Sequence, residues 1–167
     1  LFYDKKNEEA LFVSTCSGTV KSIVFGPRRV VEAIDIDNDG NNEKENIDNK
    51  IERKNLLKSG LWTSIRQKPY SKIPHFKSSP KSIFISAMPT EPFAMNYEYL
   101  MGSIDNYLQS GINALRAMFD CEINFISSEN SSLTDLNNIN HFSFNNLHPA
   151  GNVGVHIHNI DSIKNSD

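Results

Sequence analysis

Residues 82–126 restrict the fold more than any other part of the chain, because a short apolar run, an amphipathic helix and a second apolar run follow one another. We interpret residues 82–87 (SIFISA) as a buried strand and residues 123–126 (INFI) as another. Between them, apolar residues recur every three or four positions and predict a long helix. These residues are Ile104, Leu108, Gly111/Ile112, Leu115 and Phe119, which we call the apolar stripe. Two strands joined by a helical crossover are typical of a parallel sheet, so we predict an α/β fold for this part of a chain that is α+β overall.

The segment after these elements predicts a further strand and a tight corner. Residues 141–144 (HFSF) alternate and predict a third strand. Pro149, Gly151 and Gly154 then favour a tight turn. Residues 155–158 (VHIH) alternate again, and we interpret them as a strand that places His156 and His158 on one face.

The first third of the chain has a different pattern. Residues 11–37 contain three short β-rich runs separated by turn signals at Ser17-Gly18 and Gly26-Pro27, which predict a small β-sandwich or barrel. Residues 38–50 are rich in Asn, Asp and Glu and predict a polar loop. A helix over about 48–59 is expected to end at Gly60, with a second short helical piece beyond it. We therefore predict a β domain over 1–37 and an α/β domain over 51–167.

Composition excludes several classes of protein. The net charge of −3 and the scattered Lys and Arg residues argue against nucleic-acid binding. Cys16 and Cys121 are too few for a disulfide framework and too far apart for a zinc motif, which favours reduced thiols in a cytoplasmic protein. No apolar run approaches the ~20 residues of a membrane span, and no signal-peptide pattern is present. Because the chain starts at Leu1 within apparent structure, we expect it to be a piece of a longer protein.

Residues 35–40 (DIDNDG) match the first half of a calcium-binding loop, with carboxylates at Asp35, Asp37 and Asp39 before a turning Gly40. Position twelve of such a loop needs a bidentate Glu, and here it is Asn46. The preceding residues also predict a strand rather than a helix. We interpret the segment as an acidic surface loop and predict no metal site there.

The histidines allow a second metal hypothesis. On one strand face, His156 and His158 could bind a metal together with His148 or His141, but such histidines more often bond backbone groups or lie at interfaces. A phosphate loop is disfavoured, because the spacing from Gly151 to Gly154 is wrong, no G-K-[ST] follows, and a strand is predicted next.

Three other positions are candidate functional residues. Cys16 has no basic neighbour that would lower its pKa, so we interpret it as a packing residue. Glu91 follows a parallel strand, where ligands often bind, but loop carboxylates are common. Arg28 and Arg29 at a hairpin tip fit a solvated turn or, alternatively, a contact with an acidic partner. We predict no catalytic, cofactor-binding or metal residue in this chain.

Four sequence motifs together resemble one family. They are residues 60–63 (GLWT), residues 66–74 (RQKPYSKIP), residues 83–87 (IFISA) and residues 148–158 (HPAGNVGVHIH). In order and spacing they resemble the A subunit of the bacterial sodium-translocating NADH:quinone reductase. Residues 1–6, 17–20 and 28–30 are similar to the small β domain of that subunit.

The resemblance implies a partial barrel-sandwich domain followed by a Rossmann-like α/β domain similar to the flavin-binding subunit of complex I. It also implies a peripheral subunit on the cytoplasmic face of the bacterial inner membrane, in a six-subunit complex that docks it near the membrane subunit of the quinone site. That complex uses NADH, flavins, iron–sulfur centres and ubiquinone to drive sodium export. The stretch equivalent to the flavin loop, residues 60–69, carries bulky residues, so we expect no cofactor bound by this chain.

Two alternatives to a non-catalytic subunit stay open from the sequence. One is an α/β domain that binds flavin or quinone directly and takes part in redox chemistry. The other is a carrier domain of the lipoyl or biotinyl type, because a Ser-Gly-Thr-Val turn occurs there as well. A carrier domain needs a lysine at a hairpin tip, and residues 26–29 here are Gly-Pro-Arg-Arg.

Overall fold

The computed structural model describes residues 1–48, 50–101, 105–133 and 135–164. The chain divides into two compact units, Leu1–Arg66 and Gln67–Asp167, and each is described by itself below. The domain boundaries predicted at residues 37 and 51 stay predictions. Both units follow the predicted fold class, with antiparallel strands first and a parallel sheet afterwards.

The first unit is built on two antiparallel hairpins. Strand β1 (Phe2–Asp4) pairs with β2 (Asn7–Phe12), and β3 (Gly18–Phe25) pairs with β4 (Val31–Asn38). A 3₁₀ turn over Pro27–Arg29 joins β3 to β4 at the predicted position. The strands thus confirm the β-rich pattern of residues 11–37.

A small core forms where a helix covers β2. Helix α1 (Arg53–Lys58) and the 3₁₀ turn Leu61–Ser64 both contact β2 and bury Leu57 and Trp62 with Ala10. Gly60 joins the two helical pieces with φ of +76°, the left-handed conformation that glycine adopts at low cost. The helix end and the second helical piece were both predicted at this glycine.

The second unit contains a three-stranded parallel sheet. Its strands are β5 (Ser82–Ser86), β6 (Glu122–Ser128) and β7 (Asn140–Phe144), in the spatial order β5-β6-β7. The central strand β6 buries residues 123–127 without interruption, as a parallel strand covered on both faces does. Strand β5 forms where we predicted a buried strand, but it is half-buried along its length, because among the described strands it lies at the sheet edge.

Within the described part of this unit, the helices beside the sheet are α2 (Tyr97–Met101), α3 (Asp105–Met118) and α4 (Val153–Ile160). Leu108 of α3 packs against a core of Ala87, Phe125 and Leu133. Ile112 is also buried, which confirms the stripe predicted for this helix. The first member of that stripe, Ile104, lies outside the described residues.

Among the described residues, no helix is both long and apolar enough to cross a bilayer.

Gly60→Ala tests the turn that closes the first core. A Cβ on Gly60 would lie 2.7 Å from Cγ2 of Val13, and the positive φ is unfavourable for alanine. We expect the free energy of unfolding to fall by about 2–4 kcal/mol, from left-handed strain and overpacking together. Urea denaturation measures this loss.

Gly40→Ala is the matched control, because Gly40 has a similar φ of +73° but no atom within 4 Å of its added Cβ. This variant should lower the free energy of unfolding only through left-handed backbone strain, by about 1–2 kcal/mol. Equal losses in the two variants would show that the contact with Val13 contributes nothing.

Candidate functional site at the carboxyl edge of the parallel sheet

Residues 153–160 form helix α4, so the prediction of a strand over residues 155–158 was wrong. The alternation of Val155, His156, Ile157 and His158 favoured a strand, but a four-residue alternation is short evidence. A helical stripe is present in the same residues: Val153, His156, Ile157 and Ile160 are buried or half-buried and follow the i, i+3, i+4, i+7 spacing of one helix face. Asn152, a residue type favoured at helix N-caps, precedes them.

The helix separates the two histidines that the strand hypothesis placed together. Residues two apart on a helix point about 200° apart around its axis. His156 is fully buried, whereas His158 is exposed. The shared-face metal hypothesis is therefore wrong, and among the described residues no group of three or more His, Cys, Asp or Glu side chains could hold a metal.

A tight corner, residues 148–151, connects β7 to α4 and packs on the loop that leaves β5. The Gly151 amide donates a hydrogen bond of 2.9 Å to Oγ1 of Thr90. Nδ1 of His148 lies 3.4 Å from the same hydroxyl. A Cβ on Gly151 would lie 2.5 Å from the Met88 carbonyl oxygen and 2.8 Å from the Thr90 nitrogen. Only a glycine lets the two backbones approach this closely.

His156 holds the corner from the side of the helix. Its Nε2 lies 2.6 Å from the carbonyl oxygen of Ala150, which can only accept, so Nε2 carries the proton. The ring centroid lies 5.1 Å from that of Phe144 at the end of β7. Burial lowers the pKa of His156, and the bond to Ala150 opposes that shift only in part. The imidazole is therefore neutral at pH 7, and its buried Nδ1 bonds no other described residue.

The far end of α4 is fixed to the opposite edge of the sheet. Asp161, the residue after the helix, accepts a 2.6 Å bond from Nζ of Lys81 and a 3.2 Å bond from the Ser82 hydroxyl. The hydrogen bond from Lys81 lowers the pKa of the Asp161 carboxyl. Helix α4 thus runs antiparallel to β5, from the carboxyl end of that strand back to its start.

The corner does not have the structure of a phosphate cradle. A helix does begin after Gly151 and includes Gly154, so the argument from a missing helix was wrong. However, the close approach that Gly151 permits is occupied by the backbone of Met88 and Thr90, and not by open space. In residues 60–69, Trp62 is 1% exposed and packs in the core of the first unit. The amides of Gly151 and Gly60 are both bonded within the protein, to the Thr90 hydroxyl and the Leu57 carbonyl, so neither points at a space for a phosphate.

The carboxylates of residues 35–40 do not converge on one site. Asp35 accepts a hydrogen bond from Ser22, Asp37 pairs with Lys21 at 3.4 Å, and Asp39 accepts a 2.6 Å bond from Ser17. The bond from Ser17 lowers the pKa of the exposed Asp39. Each carboxylate bonds a different residue of the neighbouring strand or turn. This arrangement fits the acidic surface loop that we predicted.

Of the remaining candidate residues, Cys16, Arg28 and Arg29 belong to the first unit, and Glu91 belongs to the second. Cys16 is a half-buried free thiol in the bend before β3, and not in a strand. Arg28 and Arg29 form the exposed tip of the β3–β4 hairpin, both at positive φ. Glu91 lies beside Thr90, whose backbone amide donates to its carboxylate at 3.1 Å. Thr90 itself was missed, because nothing in the sequence distinguishes it from other loop threonines.

Comparisons with known proteins also divide the chain into two parts, with a boundary between residues 39 and 47 rather than after Arg66. The family model of the NqrA N-terminal barrel-sandwich hybrid domain matches residues 1–39, and that of the NqrA second alpha/beta domain matches residues 47–167. The A subunit of the Na(+)-translocating NADH-quinone reductase of Haemophilus influenzae is 32% identical over 98% of this chain. Those of Mannheimia succiniciproducens and Actinobacillus succinogenes are 33% and 34% identical over the same share.

The matches and the fold together define a barrel-sandwich domain followed in sequence by an α/β domain, in which the corner and the loop after β5 bond to each other at the carboxyl edge of the sheet. The chain belongs to the NqrA family, which confirms the resemblance that its motifs showed. It spans 39% of the length of each of these relatives.

The two glycines of the corner motif should respond oppositely to alanine. Gly151→Ala should lower the free energy of unfolding by about 1–3 kcal/mol, because its Cβ overlaps fixed backbone atoms. Gly154→Ala should be neutral or stabilise by up to about 1 kcal/mol, since Gly154 lies within α4 with open space beside it. Chemical denaturation of both variants measures this, and a harmless Gly151→Ala would contradict the close contact.

His156 should make the stability of the second unit depend on pH. Its folded-state pKa lies below the ordinary 6.5, so its stabilising effect is complete above about pH 6.5. As pH falls below that value, the unfolded chain takes up a proton that the folded chain does not. Stability should then fall by at most about 1.4 kcal/mol per pH unit, until pH reaches the folded-state pKa.

Denaturation curves between pH 5 and 8 test this pH dependence. His156→Gln should remove the component that belongs to His156. His158→Gln, on the exposed side of the same helix, should leave it unchanged. The same pH dependence in His156→Gln and the unmodified chain would contradict a buried neutral imidazole.

Proposed function

We propose that this chain is part of the A subunit of a Na(+)-translocating NADH-quinone reductase and serves that complex as a peripheral subunit without catalytic residues of its own. The observation that carries the proposal is the match to both NqrA domains in order, together with relatives of that name aligned over 98% of the chain. In this role the chain supports electron transfer from NADH to ubiquinone and the coupled export of sodium.

The structure of the carboxyl edge supports a role without a cofactor in this chain. In an open parallel α/β sheet, ligands usually bind in a crevice at this edge. Here the corner and the loop after β5 bond to each other at that place through Gly151 and Thr90. The backbone atoms that would face a ligand therefore face another loop of the same unit.

The proposed location is the cytoplasmic face of the bacterial inner membrane, beside the membrane subunit of the quinone site. The proposed assembly has six subunits. The complex as a whole supplies the flavins, iron–sulfur centres and ubiquinone, and this subunit contributes a docking surface rather than a redox group.

Co-purification with the complex tests the proposal. A tagged full-length subunit containing this chain, expressed in a strain that lacks its own NqrA, should join the other subunits and restore NADH-driven quinone reduction in membranes. A subunit carrying Gly154→Ala should assemble and restore activity as the wild type does, because this substitution in the corner motif should leave the fold unchanged. A wild-type subunit that neither assembles nor restores activity would refute the proposal.

A further inference from the structure

A small pocket lies at the edge of the parallel sheet opposite the corner, where β6 and β7 begin. Its volume is about 220 Å³. Sites for drug-sized ligands usually measure roughly 300–1,000 Å³, so this pocket fits a smaller molecule. Its described lining consists of two isoleucines, two asparagines and one residue of each charge: Ile123, Ile139, Asn138, Asn140, Arg116 and Glu122.

A buried side chain fixes the acidic wall of the pocket. Asn124 is only 2% exposed, and its Oδ1 accepts a 3.2 Å hydrogen bond from Nδ2 of Asn140. The same Nδ2 donates to Oε2 of Glu122 at 3.1 Å. Because an ionised carboxylate can accept several hydrogen bonds, the Glu122 side chain is held in place and can still accept from a ligand.

Arg116 reaches the pocket from the last turn of α3. Its Nη1 donates a 2.5 Å hydrogen bond to the Cys121 carbonyl, which fixes the guanidinium. A guanidinium carries five N–H donors in a planar fork, so most of them stay available after this bond. The ion pairs among the described residues involve other side chains than Arg116 and Glu122. The pocket therefore presents a cation and an anion that do not neutralise each other directly.

The loop that precedes β7 is bonded to α3 through side-chain amides. Oε1 of Gln109 accepts a 2.8 Å bond from the Asn137 amide, and its Nε2 donates to the Asn137 carbonyl at 3.1 Å. Beside them, Nδ2 of Asn138 donates to Oδ1 of Asn113 at 3.3 Å. A ligand thus meets a wall that is already ordered, and pre-organisation of this kind favours binding of small molecules.

The two charges of the pocket indicate the chemical class of its ligand. A guanidinium fork matches a carboxylate through two parallel N–H···O bonds, and a carboxylate accepts charge-assisted bonds from an ammonium group. A ligand with only one of these groups leaves Glu122 or Arg116 without a partner. A free α-amino acid carries both groups on adjacent atoms and is small enough for the pocket.

We propose that this pocket binds a small zwitterion of the α-amino acid class. Its carboxylate bonds the Arg116 guanidinium, its ammonium group bonds the Glu122 carboxylate, and its side chain packs against Ile123 and Ile139. The site consists of residues of the second unit alone, so it goes beyond the proposed function and does not depend on it.

Saturation-transfer NMR of the full-length subunit tests the ligand class with three probes of nearly equal size. L-Alanine has both charged groups, propionate has only the carboxylate, and ethylamine has only the ammonium group. L-Alanine should bind at least about tenfold more tightly than either of the others, because each of them leaves one charged group of the site unpaired. No binding of L-alanine, or equal binding of L-alanine and propionate, would overturn the proposal.

Two substitutions test the residues of the site. Glu122→Gln keeps an oxygen for the bond from Asn140 but removes the charge, and Arg116→Lys keeps the charge but removes the planar fork. Each should raise the dissociation constant for L-alanine at least about tenfold.

Glu129→Gln is the matched control, because it removes an exposed carboxylate just beyond the other end of β6. Its dissociation constant for L-alanine should stay within about twofold of the wild-type value. Melting temperatures of the three variants should match the wild type, which separates a lost site from a lost fold. Wild-type affinity in both Glu122→Gln and Arg116→Lys would overturn the site.

Discussion

The bond from the Gly151 amide to the Thr90 hydroxyl is the interaction on which the second unit's organisation depends. It joins the loop leaving β5 to the corner leaving β7, and these are the two outer strands of the sheet. The bond is possible because Gly151 lacks a Cβ, which would overlap Met88 and Thr90. A motif that looks like a ligand loop in sequence thus serves as a junction between two loops of one domain.

His156 contacts the junction from the other side. Its neutral ring donates to Ala150 in the corner and packs on Phe144 at the end of β7. At the far end of the same helix, Asp161 bonds Lys81 and Ser82 at the start of β5. Helix α4 is therefore fixed at both ends by polar contacts, while its stripe of Val153, Ile157 and Ile160 supplies the apolar packing.

The sequence was most informative where apolar periodicity was long. The stripe of α3, the β5–α3–β6 order and the turn at Gly60 were all predicted, because each depends on local physics that a single chain displays. The strand prediction over residues 155–158 was wrong because so short a run fits both the two-residue period of a strand and the 3.6-residue period of a helix. The helix is the one that buries His156. Thr90 could not be found, since its importance comes from a residue sixty-one positions away.

These contacts give the NqrA-family chain an α/β domain that uses its usual ligand edge for internal packing. The most direct test of this account is a structure of the assembled reductase with its flavins and quinone bound. The account predicts that Gly151 keeps its bond to Thr90 and that no flavin or quinone ring contacts residues 148–154. A flavin or quinone seated against those residues would contradict it.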